Sequence, residues 1–158
     1  MIVISDTSPI TNLSAIGQLD LLRQLFGKVV VGPAVLNELK RDGGHPGSEI
    51  DQLDWVEVHS ASNQELVHQL EGEIDPGEAE TIAIAVELSA DWILIDEKTG
   101  RAVAEQQGLS VIGLVGILIR AKAVGLIPAV KPIMDQLIDN GFFVSGKLLK
   151  QVLRQLGE

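Results

Sequence analysis

Two acidic residues follow apolar runs that have the composition of buried strands. Residues 2–5 lead into Asp6, and residues 92–95 lead into Asp96. In an open parallel sheet, ligands bind beyond the carboxyl ends of the strands. If the two strands are parallel neighbours, Asp6 and Asp96 therefore project into one crevice. The alternative for either residue is a turn or capping role, although the Ser8-Pro9 pair already predicts the cap of the following helix.

A third candidate, Glu78, is predicted in the first turn of a helix. Ile82 and Val86 follow it at intervals of four residues. Helical residues four apart stack on one face, so Glu78 begins a row that is otherwise apolar. The alternative is a first-turn glutamate favoured by the helix dipole. Glu80 and Glu87 of the same helix point in other directions and are predicted to face solvent.

Two more glutamates complete the set of candidate acids. Glu38 lies on a helix that begins at Pro33, at the edge of an apolar face, and on its own it would be a solvated surface charge. Glu97 follows Asp96 directly, and it is either a further metal ligand or a first-turn acid. Glu38 and Glu97 are candidate metal ligands only if the fold brings them close to the other acids.

At neutral pH, converging carboxylates would repel one another, in this case those of Asp6, Glu38, Glu78 and Asp96. They would therefore have to share protons or bind cations. Hard oxygen ligands without histidine or cysteine suit Mg²⁺ or Mn²⁺. Such ions activate water and stabilise an oxyanion leaving group, which is the usual chemistry of phosphodiester cleavage. Alternatively, the four carboxylates do not converge, and these residues only reflect the high content of acidic residues in this chain.

Four residues near the two aspartates are candidates for substrate binding. Lys98 and Arg101 share a helical face just beyond Asp96 and could hold a substrate phosphate, with a solvated surface as the alternative. Thr7 and Ser8 could hydrogen-bond a phosphate or a metal-associated water. The three histidines show no metal-ligand spacing, and neither common glycine-rich phosphate loop occurs.

The composition limits the class of protein. The chain has 158 residues, 46% of them hydrophobic, and no cysteine. It can therefore bury a core without disulfides, while thiol catalysis and cysteine-based zinc sites are excluded. The net charge of −10 disfavours a protein that coats nucleic acid, but it permits an enzyme whose surplus carboxylates hold metal ions. No signal peptide or membrane span is predicted, and a cytoplasmic location is expected.

Short apolar runs alternate along the chain with helical periods. They predict strands at residues 2–4, 29–31, 55–58, 92–95 and 110–112. Unbroken apolar strands are typical of a parallel sheet that helices cover on both faces. The order β-α-α-β-α-β-α-α-β-α-β-α predicts an α/β domain over residues 1–125. Residues 126–158 are predicted to form a helical hairpin packed on that domain, and residues 42–47 a mobile loop.

The candidate acids, in their order and contexts, resemble those of the PIN-domain nucleases. Within that class, the chain is similar to a PIN-like group related to the VapC ribonuclease toxins of prokaryotes. The matching segments are Ser5-Asp6-Thr7-Ser8-Pro9, Glu38 on a helix begun by proline, Asp75-Pro76-Gly77-Glu78-Ala79-Glu80, Leu94-Ile95-Asp96-Glu97 with Gly100-Arg101, and residues 121–127. The two closing helices are similar as well, so the resemblance covers essentially the whole chain.

This resemblance implies a three-layer α/β/α fold with a central parallel sheet, and a metal-dependent endoribonuclease with Mg²⁺ or Mn²⁺ held by Asp6, Glu38, Glu78 and Asp96. It also implies RNA as the substrate, often a homodimer, and often an antitoxin that inhibits the enzyme. Glu78 stands where the toxins usually carry aspartate. The helices after Pro128 extend beyond a minimal toxin.

Two other functions fit parts of the pattern. A PIN-like fold that no longer cleaves RNA would act as a binding or regulatory module, and the net charge of −10 favours it. A phosphatase of the haloacid-dehalogenase type also begins with a strand followed by Asp-Thr. That chemistry needs a second aspartate two residues after the first, where this chain has Ser8.

Overall fold

The computed structural model of the protein describes residues 1–41 and 46–158. Its strands are β1 (Val3–Ser5), β2 (Val29–Val31), β3 (Val56–Val58), β4 (Trp92–Leu94) and β5 (Val111–Ile112). They form one parallel sheet in the order β3-β2-β1-β4-β5. The sequence prediction of a parallel sheet is confirmed. Positions 42–45 of the predicted mobile loop lie outside the described residues.

Nine α-helices connect or follow the strands in the described part of the chain. They are α1 (Thr7–Ala15), α2 (Asp20–Phe26), α3 (Pro33–Lys40), α4 (Gln64–Leu70), α5 (Pro76–Glu87), α6 (Lys98–Gln106), α7 (Leu114–Ala123), α8 (Lys131–Asp139) and α9 (Gly146–Gln155). A short 3₁₀ helix, Ile50–Gln52, precedes β3. The predicted order of strands and helices is confirmed. None of the described helices has the length and apolar character needed to cross a membrane.

The helices cover both faces of the sheet, which gives three layers. One face is packed by α1, α2, α7 and α8 through residues such as Ile10 and Leu118. The other is packed by α4, α5 and α6 through residues such as Ile82. Successive strand residues point to opposite faces, so Val3 joins the first core cluster and Ile4 the second.

β1 and β4 are parallel neighbours in the sheet. Ile4 pairs with Ile93 and Ser5 pairs with Leu94. The backbone N–H of Asp6 then donates to the Leu94 carbonyl at 2.9 Å. The residues that follow the two strands therefore emerge side by side at the carboxyl edge of the sheet.

The start of α1 differs from the prediction. The sequence predicts Ser8 as the N-cap, but the helix begins at Thr7 and Asp6 occupies the N-cap position without a side-chain hydrogen bond to the helix. The chain turns into the helix directly after β1. Pro9 is tolerated there because N–H groups of the first turn have no intrahelical partner. The carboxylate of Asp6 is consequently not used for capping.

Two glutamates of α5 were predicted to face solvent, but their carboxylates accept hydrogen bonds from backbone N–H groups at or near the starts of other helices. Oε1 of Glu80 accepts a hydrogen bond from the N–H of Ala34 in the first turn of α3, at 2.9 Å. It lies against Gly32, where any Cβ would collide with it. Glu87 accepts from the N–H of Ser62, just before α4, at 2.8 Å. The prediction is wrong because unpaired N–H groups near helix N-termini attract these carboxylates.

The helix α8 contributes to the first core cluster. Met134 and Leu137 are fully buried and share that cluster with Ile10 of α1 and Leu118 of α7. Their neighbour Ile138 is 38% exposed. The buried face of α8 is thus continuous with the core beneath the sheet.

The carboxylate of Glu158 joins α7 to the beginning of α8. Its Oε2 accepts from Nζ of Lys122 at 2.8 Å and from the N–H of Val130 at 2.9 Å, while its Oε1 accepts from the N–H of Lys131. These donors lower the pKa of Glu158 to about 2, with the Lys122 hydrogen bond as the largest cause. We propose that residues 126–158 fold with residues 1–125 as one cooperative unit.

We expect Leu137→Ala to lower the free energy of unfolding by about 2–5 kcal/mol, because it leaves a cavity in the shared core. Trp55 and Trp92 pack against that core cluster from the first 125 residues, so their fluorescence should report the loss during urea unfolding. The neighbouring Ile138→Ala is the control and should cost less than about 1 kcal/mol. An unchanged tryptophan transition in Leu137→Ala would contradict the single cooperative unit.

Candidate metal centre

A pocket of about 280 Å³ lies beyond the carboxyl ends of β1 and β4. Six carboxylates and two hydroxyl groups line it. The lining residues are Asp6, Thr7, Ser8, Glu38, Asp75, Glu78, Asp96 and Glu97. The fold thus places all five acids singled out from the sequence around one space, although they come from separate segments of the chain.

Asp6 enters the pocket from the end of β1. It is only 9% exposed, and its backbone is fixed by the hydrogen bond to Leu94. The pKa of its carboxyl is raised from 3.8 to about 6, chiefly by burial, and the nearby charges of Asp75, Glu38 and Asp96 contribute to this rise. Asp6 therefore carries an electrostatic penalty when it is ionised.

Asp96 enters from the end of β4 and is held by one of its two oxygens. Oδ1 accepts from the N–H of Leu114, the first residue of α7, at 2.8 Å. Oδ2 is buried and has no hydrogen-bond partner in the described structure. Gly113 makes this close approach feasible, since a Cβ there would lie 3.0 Å from Oδ1. Burial raises the pKa of Asp96, and the charge of Arg101 opposes that effect.

Glu78 enters from the first turn of α5 and is 7% exposed. Its Oε2 is buried without a hydrogen-bond partner among the described residues. This oxygen lies against the backbone of Gly100 in α6, where any Cβ would collide with it. Burial raises the pKa of Glu78 from 4.5 to about 8, and a hydrogen bond to Asp75 and the charges of Asp75, Asp6 and Glu97 act in the same direction.

Glu38 approaches from α3 and is more exposed than the other three acids. The hydroxyl of Thr7 donates to its Oε2 at 2.9 Å. Thr7 was predicted to bind substrate, whereas in this structure its hydroxyl orients Glu38. The exposed Ser8 lies beside it in the pocket wall.

The two predicted phosphate-binding cations lie outside the pocket wall. Lys98 and Arg101 are exposed on α6, which begins directly after Glu97. A Cβ built on Gly113 would lie 3.7 Å from Nη1 of Arg101, so the guanidinium is close to Gly113. Arg101 thus lies beside Asp96, whereas no described contact ties Lys98 to the pocket.

Sequence analysis missed Asp75 as a residue of this pocket. Its Oδ1 accepts from the N–H of Glu78 at 2.8 Å, which caps α5. The hydrogen bond to the Glu78 carboxyl lowers the pKa of Asp75. The three-residue spacing of Asp75 and Glu78 could have indicated that both carboxylates face one site.

The donor set of the pocket fits a hard divalent cation. Its ligands are carboxylate oxygens, and two of these, Oε2 of Glu78 and Oδ2 of Asp96, are buried without a partner in the described structure. Burial of several like charges is costly unless protons or cations compensate it. Among residues 1–41 and 46–158, no group of three or more histidine, aspartate or glutamate side chains is already drawn together at ligand spacing. A bound cation would therefore have to draw the carboxylates closer.

A larger cavity of about 460 Å³ lies between α1 and residues 47–53. Among the described residues that line it, only Asp20 and Glu49 carry a carboxylate. Asp20 is already paired with Arg23, at 2.6 Å between Oδ1 and Nε. The larger cavity thus lacks the concentrated charge that distinguishes the smaller pocket.

A family model described as a PIN domain matches residues 2–158. The match extends through α8 and α9 as well as the α/β unit. No curated protein matches the chain.

In metal-free protein, we expect the free energy of unfolding to fall as the pH rises from about 5 to about 8. The pKa of Glu78 is 4.5 ordinarily and about 8 in the folded protein, so between these values the folded state holds a proton that the unfolded chain has released. Stability then decreases by at most about 1.4 kcal/mol per pH unit for this proton. Asp6 acts with the same sign at lower pH, between 3.8 and about 6.

Urea unfolding in EDTA across this pH range tests the expectation. Glu78→Gln should flatten the decline above pH 6, because the group that takes up the proton is gone. Glu105→Gln, which changes an exposed acid of α6 outside the pocket, should leave the decline unchanged. Equal slopes in Glu78→Gln and the unaltered protein would show that the pKa of Glu78 is not raised.

Gly100→Ala should lower the free energy of unfolding by about 1–3 kcal/mol, because its Cβ would collide with Oε2 of Glu78 and lie 2.7 Å from Cδ1 of Ile95. Gly146→Ala is the matched control, since a Cβ at that helical position meets nothing within 4 Å. It should be neutral or stabilising by up to about 1 kcal/mol. Equal thermal unfolding temperatures for the two variants would contradict the tight packing of Glu78 against α6.

Proposed function

Because this chain belongs to the PIN-domain family, we propose that it is a metal-dependent endoribonuclease that hydrolyses RNA phosphodiester bonds. PIN domains are generally nucleases that use divalent metal ions. The observation that carries the proposal is the pocket in which Asp6, Glu38, Glu78 and Asp96 meet. Two of these acids present buried oxygens that no described donor satisfies.

We infer that Asp6, Glu38, Glu78 and Asp96 would hold Mg²⁺ or Mn²⁺, with Glu97 as a further ligand. When bound, such an ion activates water for attack on phosphorus and stabilises the charge on the departing 3′ oxygen. Neutralisation of the carboxylates would also let the RNA phosphate enter a pocket that is otherwise strongly negative.

Other residues of the chain orient these acids. Asp75 fixes the first turn of α5 through the N–H of Glu78, and Thr7 fixes Glu38. The N–H of Leu114 binds one oxygen of Asp96, and the other oxygen is buried without a described partner. We assign Ser8, Lys98 and Arg101 to the RNA phosphates at the mouth of the pocket.

The biological setting is part of the same proposal. The likeness to VapC-type sequences supports a ribonuclease toxin of a toxin–antitoxin pair, acting in the cytoplasm. Its partners would be an inhibitory antitoxin protein and a second copy of the chain in a homodimer. The competing function is a catalytically inactive PIN-like binding or regulatory module, which the net charge of −10 favours.

Asp6→Asn should reduce RNA cleavage at least about a hundredfold and weaken Mn²⁺ binding, while the unfolding temperature stays the same or rises because a buried like charge is removed. Cleavage of mixed RNA in Mn²⁺, Mg²⁺ and EDTA measures the first effect, and calorimetric titration with Mn²⁺ the second. Glu105→Gln removes the same charge outside the pocket and should cleave normally.

Full activity in Asp6→Asn would refute the assignment. Absence of Mn²⁺ binding at millimolar concentration in the unaltered protein would favour the inactive module.

A further inference from the structure

The last helix carries only positive charges, although the chain as a whole is acidic. The protein carries a net charge of −10, and an RNA substrate carries one negative charge per nucleotide. Affinity for RNA must therefore come from a surface where positive charge is locally in excess. The helix α9 is such a surface, because it contains Lys147, Lys150 and Arg154 and no acidic residue.

These three side chains lie on one side of α9. Their spacing of three and then four residues places them on the same helical face, over about 10 Å of the helix axis. All three are exposed, as are the intervening Gln151 and the following Gln155. We call Lys147, Lys150 and Arg154 the α9 basic face.

The α9 basic face is not neutralised by the described part of the chain. None of its three cations has a described carboxylate within 4.0 Å, whereas Arg23, Lys40, Lys122 and Lys131 each form an ion pair. The acid next to α9, Glu158, is turned toward Lys122 and the start of α8 instead. The face is therefore open to an external polyanion.

An aromatic side chain precedes this face. Phe143 lies in the turn before α9 and is 86% exposed, in a chain with only five aromatic residues. Cationic side chains combined with an exposed aromatic ring are the usual composition of surfaces that bind single-stranded nucleic acid, because each base can stack on the ring.

The helix α7 connects the carboxylate pocket to α9. Its first N–H, at Leu114, binds Asp96, and near its other end Nζ of Lys122 donates to the Leu156 carbonyl, which directly follows α9, at 2.9 Å. Ten helical residues span about 15 Å. A helix of that length matches about four or five stacked nucleotides of one strand.

We propose that the α9 basic face binds the phosphate backbone of single-stranded RNA outside the carboxylate pocket. The choice of RNA as the polyanion rests on the proposed nuclease function. The acidic pocket supplies the chemistry and the α9 basic face supplies affinity, so a long RNA contacts both and an RNA of three nucleotides contacts the pocket alone. Phe143 adds stacking with one base.

The test measures binding of a fluorescein-labelled 20-nucleotide single-stranded RNA by anisotropy, in EDTA so that no cleavage occurs, over a series of salt concentrations. Lys147→Gln with Lys150→Gln should weaken binding about tenfold and reduce the slope of log affinity against log salt by about 1.4. Adding Arg154→Gln should bring the reduction to about 2. Phe143→Leu should weaken binding several-fold without changing the slope.

Arg23→Gln with Lys28→Gln is the matched control, since it removes the same charge from exposed positions outside α9. It should leave both the affinity and the salt slope nearly unchanged. Circular dichroism melting of every variant checks that the substitutions leave the fold intact. Because binding is measured without metal, failure of the proposed catalysis, seen as an inactive protein in Mn²⁺, is distinguishable from failure of this surface.

Three results would overturn the proposal. The unaltered protein could fail to bind the 20-nucleotide RNA, or the α9 variants and the control could lose affinity equally. The α9 variants could also bind RNA normally but convert a dimer to a monomer in size-exclusion chromatography. That last result would assign the α9 basic face to the acidic surface of a second copy of this chain.

Discussion

Burial of like charges beside the adjacent ends of β1 and β4 is the constraint around which this structure is arranged. The backbone hydrogen bond from Asp6 to Leu94 holds the two strand ends together, and the two aspartates must then share one space. Backbone donors offset only part of the repulsion, because one oxygen of Asp96 and one of Glu78 have no described partner. The raised pKa values of Asp6 and Glu78 favour their protonated forms without metal, and a divalent cation, if bound as proposed, would compensate the ionised forms.

The elements around the pocket limit how far it can relax. Gly100 and Gly113 let α6 and the start of α7 approach the carboxylates more closely than any other residue would allow. Glu80 ties α5 to the start of α3, so the helices that carry Glu78 and Glu38 are fixed to one another. The buried carboxylates thus lower the stability of the protein at one end of the sheet. Burial of apolar side chains in the layers on either side compensates for this loss.

Much of the fold follows from local patterns in the sequence. The strands, most helix ends and the positions of Asp6 and Asp96 depend on apolar runs, prolines and glycines that lie within a few residues of one another. The errors concern contacts between distant segments. Glu80 binds Ala34 across 46 positions, and no local pattern distinguishes it from a solvent-facing glutamate. Asp75 lies only three residues before Glu78 in the sequence, but its place in the pocket depends on where α5 packs.

The parallel connection of β1 and β4 also determines when a working pocket can exist during folding. The pairing of these strands joins residues 89 positions apart, and the intervening chain has to be ordered before the two aspartates meet. Asp96 further needs the N–H of Leu114, which lies beyond β5. A nascent chain that has not yet emerged past α7 from the ribosome therefore has no assembled pocket. By topology alone, assembly of the pocket thus comes after synthesis of most of the chain.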